Sequence, residues 1–97
     1  MGMRYFVLRY DVVVDDYVNR RTPFRPEHLR LLREAHARGE VVMGGAVGDQ
    51  PDGAIIVFRC ESADTAEQFA KHDPYVLNGL VRTWRVQPWN VVVGVQD

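Results

Sequence analysis

The chain has 97 residues, of which 46% are hydrophobic and 26% are charged, and this length and composition fit one globular domain rather than a disordered or fibrous protein. Its 12 basic and 13 acidic residues give a formal net charge of −1, which provides no field to attract nucleic acid or an anionic membrane. We therefore expect a single domain over residues 1–97 that binds neither.

The cysteine content and the apolar runs bear on location. Cys60 is the single cysteine, so no intrachain disulfide is possible, and its place at the end of the run "IIVFRC" predicts a buried, inert thiol. No apolar run approaches the roughly 20 residues that span a bilayer, and the first residues resemble a strand more than a secretory signal. These features predict a cytoplasmic protein.

The first part of the chain predicts a strand, a loop and a helix. Residues 3–12 are rich in Val, Tyr and Phe and partly alternate in polarity, which is typical of a strand. Residues 14–25, "VDDYVNRRTPFR", have no clear period and predict a loop long enough to be functional. A helix is predicted from Pro26, at the first helical position, to a C-terminal cap at Gly39.

The next part predicts a hairpin and a second helix. Residues 40–60 contain two apolar, β-rich runs separated by "DQPD", whose proline and aspartates favour a turn. Ser62 is predicted to cap an amphipathic helix over residues 63–72.

The last part predicts a short helix and a final strand. Asp73 and Pro74 have the residue types of an N-cap and a first helical position, and Gly79 ends that short helix. Residues 81–94 predict the last strand, in which Pro88 indicates an edge position or a bulge.

The predicted order is βαββαβ, which indicates an α+β ferredoxin-like fold with two helices on one face of an antiparallel sheet. Some strands are apolar on both faces, so the other sheet face needs a cover. A second copy of the same sheet is the simplest cover, and we expect a homodimer.

Two histidines lie in the apolar arc of the first predicted helix. His36 is predicted to be a partly buried core residue with its ring hydrogen-bonded. His28 differs because it follows a loop that carries Arg20, Arg21 and Arg25, which provide candidates for an anion clamp. A neutral, oriented imidazole beside such cations would serve as a general base on an acidic substrate.

Asp73 has two interpretations. The residues alone favour an N-cap and nothing more, but a carboxylate fixed by a cap can also orient an imidazole. His72 is either a surface residue or a second histidine of a metal site with His28. Because two histidines without a defined third ligand make a poor metal site, we expect no metal and no cofactor.

Gly44 and Gly45 lie inside a strand run, where glycine indicates a bulge or the floor of a pocket. They do not form a phosphate-binding loop, because no lysine and helix follow them. Four aromatic residues either line an apolar pocket or pack in the dimer interface: Phe24, Tyr75, Trp84 and Trp89.

Two segments, "RPEHLRLLREAHARGEVVMGGAV" and "DPYVLNGLVRTWRVQPWNVV", together resemble the YCII-related (YciI-like) domain family over nearly the whole chain. The R-P-x-H-L step, the glycine pair and the D-P-Y step occur in the family's order. The resemblance implies a dimeric ferredoxin-like fold of the dimeric α/β barrel type, related to muconolactone isomerase. It also implies a histidine–aspartate acid/base pair at His28 and Asp73, and it shifts the interpretation of Asp73 towards that pair.

Where a member of that family has an assigned activity, it is the dehydrochlorination of a chlorinated hydroxyquinol. This sequence departs from the family in Ala46, where a proline commonly follows the glycines, and in His72, where a small or acidic residue is common. These departures leave the pocket shape and the substrate open.

The expected function is a cofactor-independent isomerase or lyase that moves a proton on a small cyclic or aromatic substrate. Its predicted substrate contacts are Arg21, Arg25, Gly44, Gly45 and Tyr75. The alternative is a non-catalytic dimeric module that binds a small ligand or serves a larger assembly.

Overall fold

The computed structural model describes residues 2–94, which form one four-stranded sheet with helices on one of its faces. The strands are β1 (Arg4–Val13), β2 (Val41–Val47), β3 (Gly53–Cys60) and β4 (Val81–Trp89). The helices are α1 (Tyr17–Arg20), α2 (Arg25–Ala37), α3 (Ala63–His72) and α4 (Pro74–Leu77), with a 3-10 turn at Thr22–Phe24. Residue 1 and residues 95–97 lie outside the described residues.

The sheet order is β2-β3-β1-β4, and every neighbouring pair is antiparallel. This arrangement confirms the predicted α+β ferredoxin-like fold and the predicted hairpin of β2 and β3. Pro88 lies on β4, an edge strand, as predicted, where its missing N–H costs no ladder bond on the outer side.

The core lies between the sheet and the helices, and the strand period explains its composition. In β1 the alternate residues Phe6, Leu8 and Tyr10 are buried against the helices, as period-2 side-chain direction requires. Ile56 and Phe58 of β3 share that layer. From α3, Ala66 and Ala70 allow close approach to the sheet, and Phe69 packs edge-on against Phe58 at 5.6 Å between centroids.

The ends of two helices match the predicted signals. Gly39, at φ 83°, follows α2, and the N–H groups of Gly39 and Glu40 donate to the carbonyls of His36 and Ala35, which satisfies the last turn. Gly79, at φ 73°, ends the turn after α4. Both positions use the left-handed conformation that glycine adopts at little cost.

The prediction of a loop over residues 14–25 is wrong. Tyr17 is buried and begins α1, and the 3-10 turn that follows leads directly into α2, which begins at Arg25. Tertiary packing of one aromatic side chain thus imposes helical turns on a segment without a hydrophobic period.

The last strand is shorter than predicted. Pairing with β1 ends at Tyr5 opposite Trp89, so residues 90–94 have no neighbouring strand, and Val92 and Val93 are exposed. Ser62 occupies the N-cap position of α3, but its side chain makes no capping hydrogen bond.

Cys60 is buried, as predicted, and its thiol donates to the Ser62 carbonyl at 3.3 Å. Burial raises the pKa of this thiol, which disfavours the reactive thiolate. None of the helices within residues 2–94 is long and apolar enough to cross a membrane.

Candidate functional site

Asp73 lies between α3 and α4 and is completely buried, with 0% exposure. Its Oδ1 accepts a hydrogen bond from the Tyr75 backbone N–H at 3.0 Å. The predicted N-cap is therefore confirmed, and it fixes the carboxyl group relative to the start of α4.

The same carboxyl group contacts two further side chains. His28, in the first turn of α2, places Nδ1 at 2.8 Å from Asp73 Oδ2 and at 3.0 Å from Oδ1. The Tyr10 hydroxyl donates to Oδ2 at 2.5 Å. Three donors from β1, α2 and α4 thus surround one buried carboxyl group, which compensates the loss of hydration.

The direction of these bonds determines which ring nitrogen of His28 is left without a partner in the Asp73 cluster. A carboxylate only accepts hydrogen bonds, so the Nδ1–H of His28 donates to it, and in the neutral form of the ring Nε2 is then the nitrogen with the free lone pair. Nε2 bonds to no residue between 2 and 94, and His28, with 8% exposure, lines a cleft. The arrangement presents an oriented proton acceptor to that cleft.

Tyr10 remains a donor in this cluster because burial, and then the charge of Asp73, raise the pKa of its hydroxyl well above the ordinary value. A protonated Tyr10 helps to hold the carboxylate that holds His28. We therefore describe Tyr10 as a positioning residue.

The cleft has a volume of about 200 Å³ and lies between the sheet and the helices. Its polar lining residues are His28, Arg21, Arg25, Tyr17 and Tyr75, and the rest of its walls are glycine and small or aliphatic side chains. These remaining lining residues are Leu29, Leu32, Gly44, Gly45, Ala46, Ala54 and Ile56.

An aromatic stack forms one side of the cleft. The rings of His28 and Tyr75 are parallel within 9°, with centroids 3.9 Å apart, and Tyr17 meets Tyr75 edge-on at 5.9 Å. The Arg21 guanidinium lies 5.4 Å from the centre of the Tyr17 ring, a distance at which cation–π attraction operates. These contacts fix both tyrosine rings and hold Arg21 beside them.

Tyr75 combines deep burial with an unpaired polar atom. The residue is 2% exposed, and its hydroxyl oxygen has no hydrogen-bond partner among the described residues. Burial raises the pKa of this phenol, and the charge of Asp73 adds to the rise. The charges of Arg21 and Arg25 oppose it, and the Arg25 guanidinium lies close enough to the hydroxyl to act on it, although without full hydrogen-bond geometry.

A model of the YCII-related domain matches residues 3–90. The chain belongs to this family. Protein YciI of Escherichia coli O6:H1 and protein YciI of Shigella flexneri are each 30% identical to it over 86 residues, which is 79% of this chain and 88% of each relative.

Two solved structures share the fold. One is 5-chloro-2-hydroxyhydroquinone dehydrochlorinase (TftG) from Burkholderia phenoliruptrix in complex with 2,5-dihydroxybenzoquinone, with a TM-score of 0.73, 21% identity, and coverage of 89% of this chain and 93% of that one. The other is a nipsnap family protein of unknown function from Agrobacterium tumefaciens, with a TM-score of 0.53, 14% identity, and coverage of 91% and 86%. At 21% and 14% identity, these two likenesses show only that the proteins share a fold with this chain.

The structure brings the predicted pair His28 and Asp73 together, although 45 residues separate them in the chain. The predicted substrate contacts line the same cleft as His28: Arg21, Arg25, Gly44, Gly45 and Tyr75. Arg20 does not line it and instead donates to the Asp15 carbonyl at 3.5 Å.

The two glycines lie differently. A Cβ atom at Gly44 would come within 3.2 Å of Ile56 Cγ1 and 3.5 Å of Leu32 Cδ1, whereas a Cβ at Gly45 would meet nothing within 4 Å. Gly44 therefore belongs to the floor of the cleft, and the strand irregularity lies before it, between Val41 and Met43.

The other two histidines lie apart from His28. His72 is exposed, with Nδ1 bonded to the Gln68 carbonyl at 2.7 Å. His36 bonds to the Val41 carbonyl at 2.8 Å, as predicted, but is more exposed than predicted because it lies at the rim of the helix–sheet contact. Within residues 2–94, no group of three or more His, Cys, Asp or Glu residues lies close enough to hold a metal ion.

Sequence reasoning missed Tyr10 and Tyr17. The signal for Tyr10 was present, because a tyrosine in the row of Phe6 and Leu8 must enter the core and its hydroxyl then needs a buried partner. Among the aromatic residues proposed for a pocket or an interface, only Tyr75 lines the cleft. Phe24 and Trp84 pack against the core, and Trp89 lies on the opposite sheet face.

Proposed function

We propose that the protein is a small enzyme in which His28, oriented by Asp73, moves a proton on a small cyclic or aromatic acidic substrate, as an isomerase or lyase. One observation carries the proposal. Nδ1 of His28 is bonded to a buried carboxyl group, Nε2 forms no hydrogen bond to any residue between 2 and 94, and the ring lines a cleft. An oriented imidazole of this kind contributes about 10²–10⁴-fold to the rate of a proton transfer.

The charge of the cleft supports an acidic substrate. Arg21 and Arg25 line it together with His28, and guanidinium groups favour carboxylates and other oxyanions. Proton transfer requires only the acid/base group, so the proposed enzyme is independent of metals and redox cofactors.

The fold likeness supplies the first reaction to test. The solved neighbour TftG is named a dehydrochlorinase of 5-chloro-2-hydroxyhydroquinone. Loss of HCl from such a compound needs a base that accepts the proton while chloride leaves with the electron pair of the C–Cl bond. His28 Nε2 is the proposed base for that step.

A non-catalytic binding module is the second candidate. It is favoured by the size of the cleft, about 200 Å³, which is below the roughly 300–1,000 Å³ of most small-molecule sites. In that case the protein would bind a small anion without transforming it.

The test of the enzyme compares chloride release from 5-chloro-2-hydroxyhydroquinone by the wild type, His28→Gln, Asp73→Asn and the surface control His72→Gln. We expect the first two variants to lose about 10²–10⁴-fold in rate and the control to keep full activity. Asn can donate its amide hydrogen to Nδ1 of His28, so Asp73→Asn should move the ring hydrogen to Nε2. Long-range ¹H–¹⁵N NMR of the imidazole reports that change of tautomer.

Two results would contradict this proposal. Full activity of Asp73→Asn with the wrong tautomer would remove His28 as the base, and an inactive wild type that still binds small anions would favour the binding module.

We also propose that the protein is a cytoplasmic homodimer. The sheet face away from the helices is called here the open face. It carries Val7, Met43, Val47, Ile55 and Trp89, with the buried Val57 and the polar Arg9 and Gln87 among them. Met43, Val47 and Trp89 are 59%, 43% and 46% exposed, and a contiguous apolar surface of this kind is typical of an interface. A twofold contact between open faces would bury the same side chains of both copies.

A further inference from the structure

The hydroxyl of Tyr75 is the one buried side-chain polar atom of residues 2–94 without a hydrogen-bond partner. Leaving a buried hydroxyl unpaired is unfavourable, and native proteins keep such groups rarely. Tyr75 also lines the cleft beside His28, which places this unused donor at the proposed site.

The ring of Tyr75 is held in place by its neighbours. It stacks on His28 at 3.9 Å and meets Tyr17 edge-on at 5.9 Å. Tyr10, buried in the same cluster, has its hydroxyl bonded to Asp73 at 2.5 Å. The same residue type is thus paired at one side of the Asp73 cluster and unpaired at the other.

The surroundings of the Tyr75 hydroxyl are positive. The charges of Arg21 and Arg25 act on it more strongly than the opposing charge of Asp73, and both arginines line the cleft. In the part of the chain that the structure describes, neither arginine forms an ion pair with a carboxylate. Their charge is therefore available to a ligand.

We propose that the Tyr75 hydroxyl, together with Arg21 and Arg25, binds an ionised oxygen of the ligand, and that the ring bearing this oxygen then extends towards His28. The position of the reacting atom rests on the proposed function, but the oxyanion subsite does not. The ligand class is a small cyclic or aromatic compound with a carboxylate or an acidic phenol.

The donor set explains why a neutral ligand should bind poorly. Guanidinium groups only donate hydrogen bonds, and the Tyr75 hydroxyl beside them is arranged to donate as well. An oxyanion accepts from all three groups, whereas the NH₂ of an amide would face donors. Benzoate should therefore bind better than benzamide, which has nearly the same shape.

The experiment is calorimetric titration of benzoate, benzamide and 4-nitrophenolate into the full chain at low salt. We expect at least one of the two anions to bind at least about tenfold more tightly than benzamide. Tyr75→Phe keeps the ring and its stack, and should weaken anion binding about 10- to 100-fold, as expected for a hydrogen bond to a charged group. Benzamide binding should weaken much less, because its carbonyl oxygen is a neutral acceptor.

Three controls separate the subsite from structural effects and from catalysis. Arg20→Gln, in the same loop but outside the cleft, should bind anions like the wild type, whereas Arg21→Gln and Arg25→Gln should not. The thermal midpoint of ligand-free Tyr75→Phe should be unchanged or higher, because the variant removes an unpaired hydroxyl. His28→Gln should still prefer the anion to benzamide, although it removes the proposed base.

The outcomes distinguish this inference from the proposed function. Binding of benzoate alone assigns a carboxylate, and binding of 4-nitrophenolate alone assigns a phenolate. Equal affinity for anions and benzamide, no anion binding at millimolar concentration, or unchanged anion affinity in Tyr75→Phe would overturn the subsite. Retained anion selectivity without any proton-transfer activity would refute only the proposed function.

Discussion

The two faces of the sheet contrast sharply in what they bury. The helix-covered face contains a carboxyl group at 0% exposure, with an imidazole and two phenols around it. The open face exposes large apolar side chains, among them Met43 at 59% and Trp89 at 46%. The covered face thus encloses a small polar cluster within an apolar core, whereas the open face leaves large apolar side chains in contact with solvent.

The polar cluster around Asp73 is stable because nearly every polar group in it has a hydrogen-bond partner. Asp73 accepts from His28, Tyr10 and the Tyr75 N–H, and a buried charge with several donors avoids most of the cost of lost hydration. The exposed apolar side chains of the open face are not covered by any helix that the structure describes. On the covered face, polar and apolar groups are buried and paired within the chain except at the cleft. On the open face, the apolar side chains have no cover from residues 2–94 of this chain.

The open face also has polar ends. Asp11 accepts from Arg9 at 3.3 Å and from Arg85 at 3.1 Å, so a charged group flanks the apolar area. A polar rim around an apolar centre is the usual anatomy of an interface.

The largest expected effect is on assembly. A charge within the apolar area of the open face would be buried without a partner in the proposed dimer, so Met43→Glu on the edge strand β2 should weaken dimerisation at least about 100-fold. Light scattering at micromolar concentration should give twice the 11.1 kDa chain mass for the wild type and the single mass for the variant.

Leu77→Glu is the matched control for this prediction. Leu77 is 67% exposed on α4, on the helix side, so the same change there should leave the dimer intact. A wild type that scatters as a monomer, or equal dissociation in both variants, would remove the open face as the interface.

The contrast between the faces also shows how much of the molecule could be predicted from its sequence. Partial alternation in β1, the apolar β-rich runs of β2 and β3, the helix periods and the glycine caps are local signals, and they predicted the fold. The segment 14–25 was misjudged because its helical turns depend on the burial of Tyr17, a tertiary contact.

The site was only partly accessible to local rules. The residues around Asp73 predicted its cap, but local chemistry alone favoured a cap and nothing more, and the pairing with His28 rested on the family resemblance. The unpaired hydroxyl of Tyr75 had no sequence signal at all, because finding it requires counting partners in three dimensions. Tyr10 had a signal, its place in the core row of β1, that was not used.

The second prediction concerns stability on the covered face. Tyr10→Phe removes a buried hydrogen bond to a charged group, which should lower the free energy of unfolding by about 1.5–3 kcal/mol. Chemical denaturation measures the change in the free energy of unfolding. Both proteins are compared at one fixed concentration, because a dimer makes the apparent stability depend on concentration. An unchanged free energy of unfolding in Tyr10→Phe would contradict a special role for the Asp73 cluster.

The alkaline pH dependence sharpens the same prediction. The pKa values of Tyr10, Tyr17 and Tyr75 are all raised by burial, so these phenols stay protonated in the folded state while the unfolded state ionises near pH 10. The unfolded state then binds fewer protons, and stability falls as the pH rises above about 10. Tyr10→Phe should reduce that slope by up to about 1.4 kcal/mol per pH unit, and an unchanged slope would argue against the protonated donor.

The smallest expected effect compares two adjacent glycines that face opposite sides of the sheet. A methyl group at Gly44 would come within 3.2 Å of Ile56 and 3.5 Å of Leu32, whereas one at Gly45 would enter open space. Alanine limits the unfolded chain more than glycine does, which favours the folded state by about 0.4–1 kcal/mol where there is room. Gly45→Ala should therefore raise the free energy of unfolding by this amount. In Gly44→Ala, crowding against Ile56 and Leu32 should cancel the gain.

The pair is best measured in the Met43→Glu background, where the open face of a proposed dimer is uncovered and a methyl group at position 45 meets no second copy. Gly44→Ala should also weaken benzoate binding, because its methyl group fills the floor of the cleft, while Gly45→Ala leaves that affinity unchanged. If both alanine variants stabilise the protein equally and neither changes the benzoate affinity, then Gly44 does not form the floor of the cleft. The two glycines would then not differ in the sheet face towards which a side chain points.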